Sequence, residues 1–384
     1  MEKLLKFKQM VKGRHDYARA WKQRTGGKVL GFCENYMPEE VAYAAGMLPV
    51  RLMAEQMPDV ISAKWIYASC YPAKNLTNQL LSGCYDYLDV FINVEGCQWM
   101  FNVYEVATNN NPSLPNHYLF LPDYTDSPTS RDVLRSELLV LKGKLEEWTG
   151  NAITDESLDH AIEVYNTNRR LLRRIYELRR AYRTVILGSE MMYILLANQV
   201  TDKAEMNKLL EALIPELEDR EPFEDRLRLM LIGSETFNAE LEELVESLGA
   251  NIVVDELDNG SSSFWNEVIL QKDRFLAISL RYLGRPHSAL KDNNWRRRPQ
   301  HIFELTEDYC VDGVLIVKQL LCHPHGTDNY AVWKMLRERN IPYHFFERDI
   351  TLPVDETKIR IGAFLDMIKP GITRIRGWHQ PLNI

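Results

Sequence analysis

The run Tyr87-Leu-Asp-Val-Phe-Ile-Asn-Val-Glu-Gly-Cys97 reads as a buried strand, Val90 to Val94, that meets a glycine and stops on a cysteine. A short unbroken apolar run bounded by turn residues fits a strand covered on both faces, as in a parallel sheet. In open α/β sheets ligands gather outside the carboxyl ends of the strands, so a thiol at such a tip stands where chemistry is usually done. Far along the chain, Gly313-Val-Leu-Ile-Val-Lys-Gln-Leu-Leu-Cys322 repeats the pattern. Two such strands predict two α/β units.

At 384 residues the chain is too long for one ordinary core. The expected fold class is α/β, two doubly wound parallel-sheet domains with a helical insert: residues 1–128, a helical region over 129–222, and 223–384. A net charge of -8 argues against binding nucleic acid, which rests on an excess of Lys and Arg. Small molecules and protein partners are better expectations. The first ten residues mix charges with apolar side chains, unlike a secretory signal, and no run of about 18 apolar residues predicts a membrane span. A cytoplasmic location is therefore expected. Six cysteines without a signal argue against a disulfide framework, and no Cys-x-x-Cys pair is present.

The pattern predicts a helix over residues 1–25, a strand Lys28 to Cys33, a helix Pro38 to Gly46, and a strand Leu48 to Met53 that Pro49 places near an edge. A helix from Pro72 to Leu81 follows Cys70, and Tyr118 to Pro122 closes the first unit. Residues 130–217 turn helical, with a stripe through Leu171, Ile175, Leu178 and Tyr182. The arginines around it, Arg169, Arg170, Arg173, Arg174, Arg179, Arg180 and Arg183, are best read as a solvated or salt-bridged face. The second unit starts with the strand ending at Gly233, a helix Asn238 to Leu248 and the strand ending at Asp255. Gly233 and Asp255 imitate a dinucleotide fingerprint, but its other glycines are absent, so NAD is not expected. A loop-rich stretch, Asn259 to Arg298, precedes the final strands, with helices near Tyr330 to Arg339 and Glu356 to Ile368.

Cys33, Cys70, Cys97 and Cys322 fall at ends of elements that can face a site, whereas Cys84 and Cys310 fall where small core residues are expected. A thiol at a helix start, such as Cys70, has its thiolate stabilised by free backbone amides. Three thiolates converging from two domains would suit an iron-sulfur cluster, or zinc completed by His323 or His325. The plain alternative, six core cysteines, stays open on spacing alone. His323 and His325 are also candidate proton donors. Arg281, Arg285 and His287, with Trp295-Arg-Arg-Arg298, form a basic stretch that could bind an anionic ligand such as a phosphorylated cofactor, or could be ordinary surface charge. No Gly-x-x-x-x-Gly-Lys-Ser/Thr loop occurs, so any ATP site belongs to a partner.

The runs Trp21-Lys-x-x-Thr-Gly-Gly-Lys28 and Tyr36-x-Pro38-x-Glu40-x-x-x-Ala44-Ala45-Gly46, with Val164-Tyr-Asn-x-Asn-Arg-Arg170 and Asp312-Gly-Val-x-x-x-Lys-x-x-x-Cys322, resemble the 2-hydroxyacyl-CoA dehydratase and benzoyl-CoA reductase family. The resemblance implies two Rossmann-like halves and a helical part. It implies a 4Fe-4S iron-sulfur cluster on Cys70, Cys97 and Cys322, with no clear role for Cys33. It further implies a homologous cluster-bearing partner subunit, an ATP-hydrolysing iron-sulfur activator and an acyl-CoA substrate whose CoA phosphates Arg281 and Arg285 would meet. The expected activity is low-potential ring reduction by the smaller cluster-bearing subunit of a benzoyl-CoA reductase, with 2-hydroxyacyl-CoA dehydration or a double-cubane small-molecule reductase as alternatives. Gln98 and His323 stand where the family often has aspartate after the second and third cysteines.

Overall fold

A computed structural model describes residues 2–55, 60–180, 184–286, 288–291, 297–349 and 352–369. Tyr182, Arg183, His287, Trp295 and Arg296, singled out above, lie outside the described residues. Strands β1 (Val29–Phe32), β2 (Leu48–Arg51), β3 (Val90–Val94) and β4 (Asn116–Leu119) form one sheet, and β5 (Leu227–Gly233), β6 (Ala250–Leu257), β7 (Gly313–Gln319) and β8 (Tyr343–Arg348) a second. Their orders are β2-β1-β3-β4 and β6-β5-β7-β8, with every pairing parallel. The fold is thus α/β with two Rossmann-like units of one topology, although the sequence holds no visible repeat. β2 is an edge strand, as Pro49 suggested.

Helices α1 (Glu2–Lys12) and α2 (Arg14–Thr25) replace the single helix expected at the start, because Gly13 interrupts it. α3 (Glu39–Ala44) links β1 to β2, and α4 (Tyr71–Leu81) and α5 (Gln98–Asn110) flank β3 in the chain. The helical region comprises α6 (Pro128–Thr149), α7 (Asp155–Glu177), α8 (Gly188–Asn198) and α9 (Lys203–Glu218). In the second unit α10 (Glu240–Ser247), α11 (Arg274–Leu283), α12 (Arg297–Asp308), α13 (His323–Glu338) and α14 (Val354–Ile368) complete the order. α11 lies in the stretch expected to be loop-rich; Asp273 caps it by accepting from the Leu276 amide, and its buried face includes Phe275, Ile278 and Tyr282. No described helix is long and apolar enough to cross a membrane.

Period-two alternation places Leu30, Phe32, Val90 and Ile92 on one face of the first sheet, in a core shared with Leu138 of α6 and Ile278 of α11. Val29 and Phe91 face the other way, into a core that runs through Leu172 and Leu195 to Leu229 and Ile316 of the second sheet. The buried face of α7 passes through Leu158, Ile162, Tyr165, Leu172, Ile175 and Tyr176, so the expected stripe is rotated: of its described members Ile175 is buried, while Leu171 and Leu178 are half-buried. Most of the arginines here are salt-bridged as anticipated: Arg170 and Arg173 meet Glu267, Arg174 meets Glu218, Arg180 meets Asp308, and buried Arg169 meets Glu40; Arg179 departs from the expectation, being buried and donating to the Ile252 carbonyl.

Gly233 ends β5 at φ +148, where an added Cβ would lie 1.8 Å from the Val317 carbonyl oxygen. It is a close-approach glycine. Asp255 lies within β6 and accepts from the Tyr176 hydroxyl and the Ser261 amide.

Glu242 on α10 is buried with neither carboxylate oxygen bonded, and burial raises its pKa to about 8. The folded chain then holds a proton that the unfolded chain loses above the ordinary carboxylate range, so this group's contribution falls as pH rises toward 8. Glu242→Gln should raise the thermal midpoint at pH 7.5 and leave it nearly unchanged at pH 4.5. Scanning calorimetry at both values checks this, and equal shifts would refute it.

Candidate functional site

Cys70, Cys97 and Cys322 line one small cavity at the carboxyl ends of both sheets, walled also by Glu34, Glu235, Asp258, His325 and the apolar Pro72, Met100 and Leu290. The two units contribute in parallel. Cys97 stands three residues after β3 and Cys322 three after β7, while Glu34 and Glu235 each stand two after the first strand of their sheet. In both sheets the strand order reverses between those first and third strands, β1 with β3 and β5 with β7. The cavity therefore sits where two topological switch points meet.

Each of the three cysteines is also the residue before a helix: Cys70 caps α4, Cys97 caps α5 and Cys322 caps α13. Proline at the start of α4 and α13 suits a first turn whose amide needs no partner in the helix. Three helix N-termini thus direct their free amides and dipoles at one set of sulfurs. Burial pushes the thiols up, Cys70 to about 12 and Cys97 and Cys322 above the usual thiol range, and the cysteines repel one another. No thiol closes a capping hydrogen bond, yet the amides of Ala73, Met100 and His325 oppose the shift. Such thiols are poor free nucleophiles and become anionic when a cation takes the proton's place. Leu321, next to Cys322, has φ 63, a left-handed conformation rare for a branched side chain and held by the turn from β7 to α13.

The carboxyls form the second half of the wall. Glu34 accepts from the Cys97 amide at 3.3 Å. Glu235 pairs with Arg51 at the end of β2, a buried ion pair between the two units. Burial and mutual repulsion hold both carboxyls well above the usual range, against the pull of Arg51. Asp258 differs: although burial works the other way, a 3.0 Å bond to His325 Nε2 and a bond from the Ser288 hydroxyl, with the charge of Arg298, draw it down to about 2. His325 is thereby oriented in the wall, with Nδ1 buried and without a partner among the described residues.

The structure brings together Cys70, Cys97, Cys322 and His325 but separates the other candidates. Cys33 is buried in the core and is not part of the cavity wall. His323 is exposed on the first turn of α13, edge-on to Trp99 at 6.2 Å. The segment expected to be a strand-terminal loop is helix from His323 onward, because Cys322 and Pro324 together start it. Arg281 and Arg285 are not solvent-facing. Arg281 ends α11 and donates to the Ser263 and Asn266 carbonyls, and Arg285 donates to the Ser262 and Asn35 carbonyls. Both are 4% exposed, so the expected basic loop is replaced by guanidinium groups that tie backbone segments together. Arg297 meets Asp126, and Arg298 is buried against Glu256 and Asp328. The zinc reading is not carried either: among the described residues no group of three His, Cys, Asp or Glu is placed to hold one ion. Ligands of a cluster bind separate irons and need not converge on a single point. Thiol donors with an apolar shell suit a soft, sulfur-rich centre and would not hold magnesium or calcium.

Glu34, Arg51, Glu235 and Asp258 went unmarked in the sequence, yet a signal existed. Glu34 and Glu235 follow strands β1 and β5, and the rule that drew attention to the ends of β3 and β7 applies equally there.

This arrangement defines a paired-Rossmann protein with a thiol-lined cavity between its halves. Residues 34–368 match the family model described as 2-hydroxyglutaryl-CoA dehydratase, D-component, and the chain belongs to that family. It is similar to the (R)-phenyllactyl-CoA dehydratase beta subunit of Clostridium sporogenes, 25% identical with 94% of this chain and 97% of the relative covered. A benzoyl-CoA reductase subunit of Thauera aromatica is 25% identical, over 92% of this chain and 94% of the relative. The beta subunit of (R)-2-hydroxyglutaryl-CoA dehydratase from Acidaminococcus fermentans is 24% identical, over 83% and 86%. Family members are enzyme subunits.

A depressed carboxylate adds stability above its unfolded pKa and loses it as pH falls through its folded value, here between about 4 and about 2. Asp258→Asn should therefore destabilise the chain at pH 7 by on the order of 2 kcal/mol and cost little at pH 2. Urea unfolding at several pH values tests it; a loss independent of pH would refute the assignment.

Proposed function

We propose that this chain is the iron-sulfur subunit of an enzyme that carries out one-electron chemistry on an acyl-CoA thioester, with elimination of water from a 2-hydroxyacyl-CoA as its reaction. The observation that supports this reading is the convergence of Cys70, Cys97 and Cys322, each at a helix N-terminus, on the meeting point of two parallel sheets. A 4Fe-4S cluster held there would supply single electrons at low potential. The chain's own residues provide the rest. The three helix starts favour anionic thiolates, Pro72, Met100 and Leu290 limit water, and Asp258 holds His325 in the wall as the group best placed to move a proton.

Water elimination is placed ahead of the expected ring reduction because the family model and two of the relatives above are dehydratases by name. Ring reduction of an aryl-CoA remains the second reading, supported by the likeness to the benzoyl-CoA reductase subunit at the same 25% identity. All three relatives are named as subunits, which supports a homologous partner chain here. An ATP-hydrolysing iron-sulfur activator is part of the proposal, since this sequence has no phosphate-binding loop. We place the complex in the cytoplasm.

Anaerobically purified wild-type protein should contain iron and acid-labile sulfide. Cys97→Ser and Cys322→Ser should each lose at least half of both, whereas Cys84→Ser and Cys33→Ser should not. Iron unaltered in the first pair would sink the ligand assignment. With partner, activator and reductant present, loss of water from 2-hydroxyacyl-CoA without reduction of benzoyl-CoA is expected, and the reverse outcome would establish the second reading.

A further inference from the structure

A second small cavity, about 30 Å³, lies between the first sheet and the helical region, away from the cysteines. Its wall includes Arg51, Arg169, Lys203 and Arg281 and one carboxylate, Glu39. All four cations are at most 4% exposed. Their partners account for only part of the charge. Arg169 pairs with Glu40, Lys203 with Glu39 at 3.3 Å, and Arg51 with Glu235 through one nitrogen. Arg281 bonds only to carbonyl oxygens. Among the described residues these four cations have three carboxylates as direct ion-pair partners, with Glu34 also within electrostatic reach of Arg51, and two of the three guanidinium nitrogens of Arg51, Nε and Nη1, are buried without an acceptor. Burial first, and then the charges of Arg169 and Arg285, pull Arg281 down to about 9, against the opposing influence of Tyr282 and Glu40.

A buried charge without a counter-charge is costly, and unmatched N–H donors add to the cost. One water needs roughly 10 to 15 Å³ of such space, so the cavity has room for a monatomic ion or two waters and not for a polyatomic oxyanion. We propose that this cavity is a binding site for a small monovalent anion of the halide type, held by Arg51, Lys203 and Arg281. The ion supplies the missing negative charge and accepts from the free face of Arg51, whose other nitrogen holds Glu235 at the cysteine cavity. The site is thereby joined to the thiol-lined cavity through a single side chain. It does not depend on the reaction assigned above.

Two waters are the competing occupants, and they would also satisfy Gln199 Oε1, an acceptor in the same wall that lacks a donor. Thermal unfolding of the purified chain at fixed ionic strength, with sodium gluconate replaced stepwise by sodium chloride or bromide, separates the cases. Anion binding should raise the midpoint saturably by about 2 °C or more. Crystals soaked in sodium bromide should give one anomalous peak between Arg51, Lys203 and Arg281. Both Arg281→Met and Lys203→Met, read separately in case one folds poorly, should abolish the halide dependence. A midpoint indifferent to halide together with no bromide peak would overturn the proposal, as would a halide effect that persists in both variants.

Discussion

The pairing of Arg51 with Glu235 is the contact on which the site's geometry depends. Arg51 ends β2 of the first sheet, and Glu235 follows β5 of the second. An ion pair buried this deeply is a weak source of net stability, because desolvating two charges offsets most of their attraction. Breaking it is another matter, since either partner would be left as a lone buried charge. Its role is better understood as alignment. A pair that is tolerable only when made holds the carboxyl ends of two separate sheets opposite one another.

Once the sheets are opposed, the rest of the cavity follows from local chemistry. Parallel strands deliver their next residues to one edge, and in both units the third strand delivers a cysteine and the first a glutamate. The third cysteine comes from the start of α4 and has no strand behind it, but the helix start gives it the same amide environment as the other two. Three thiols and three carboxyls in one wall would repel one another if all were ionised. The raised thiols and the raised Glu34 and Glu235 are the expected response. Asp258 stays ionised because His325 and Ser288 bond to it directly.

This balance explains which parts of the fold are legible in the sequence. Val90–Val94 can be read to the residue and β7 from its first residue, because strands buried on both faces are written as unbroken apolar runs. The three site cysteines can be picked out because strand tips and helix starts have recognisable sequences. What cannot be read is direction. Arg281 and Arg285 look like any basic stretch, and only the folded chain reveals that their donors turn inward to carbonyl oxygens. Helix α11 is hidden for a related reason: its apolar residues are enclosed by Arg and Asp that prove to be partners rather than solvent-facing charge. Periodicity records which side of an element is apolar, not which charges will find each other across the fold.

The same distinction bears on the link between the two cavities. Arg51 lines the cationic cavity and pairs through one nitrogen with Glu235 beside the thiols, while its other two nitrogens are buried without an acceptor among the described residues. A guanidinium is planar and rigid, so its two faces cannot be adjusted independently. Whatever neutralises the rear cavity therefore also influences how firmly Glu235 is held in front. Glu235 repels Cys70, Cys322 and Glu34, so a change in its charge or position alters the field at the sulfurs. Centres of the proposed kind respond to nearby charge and hydrogen bonding, which are main determinants of their potential. The cations behind β2, packed against the helical region, are thus electrostatic neighbours of the thiol site at one remove.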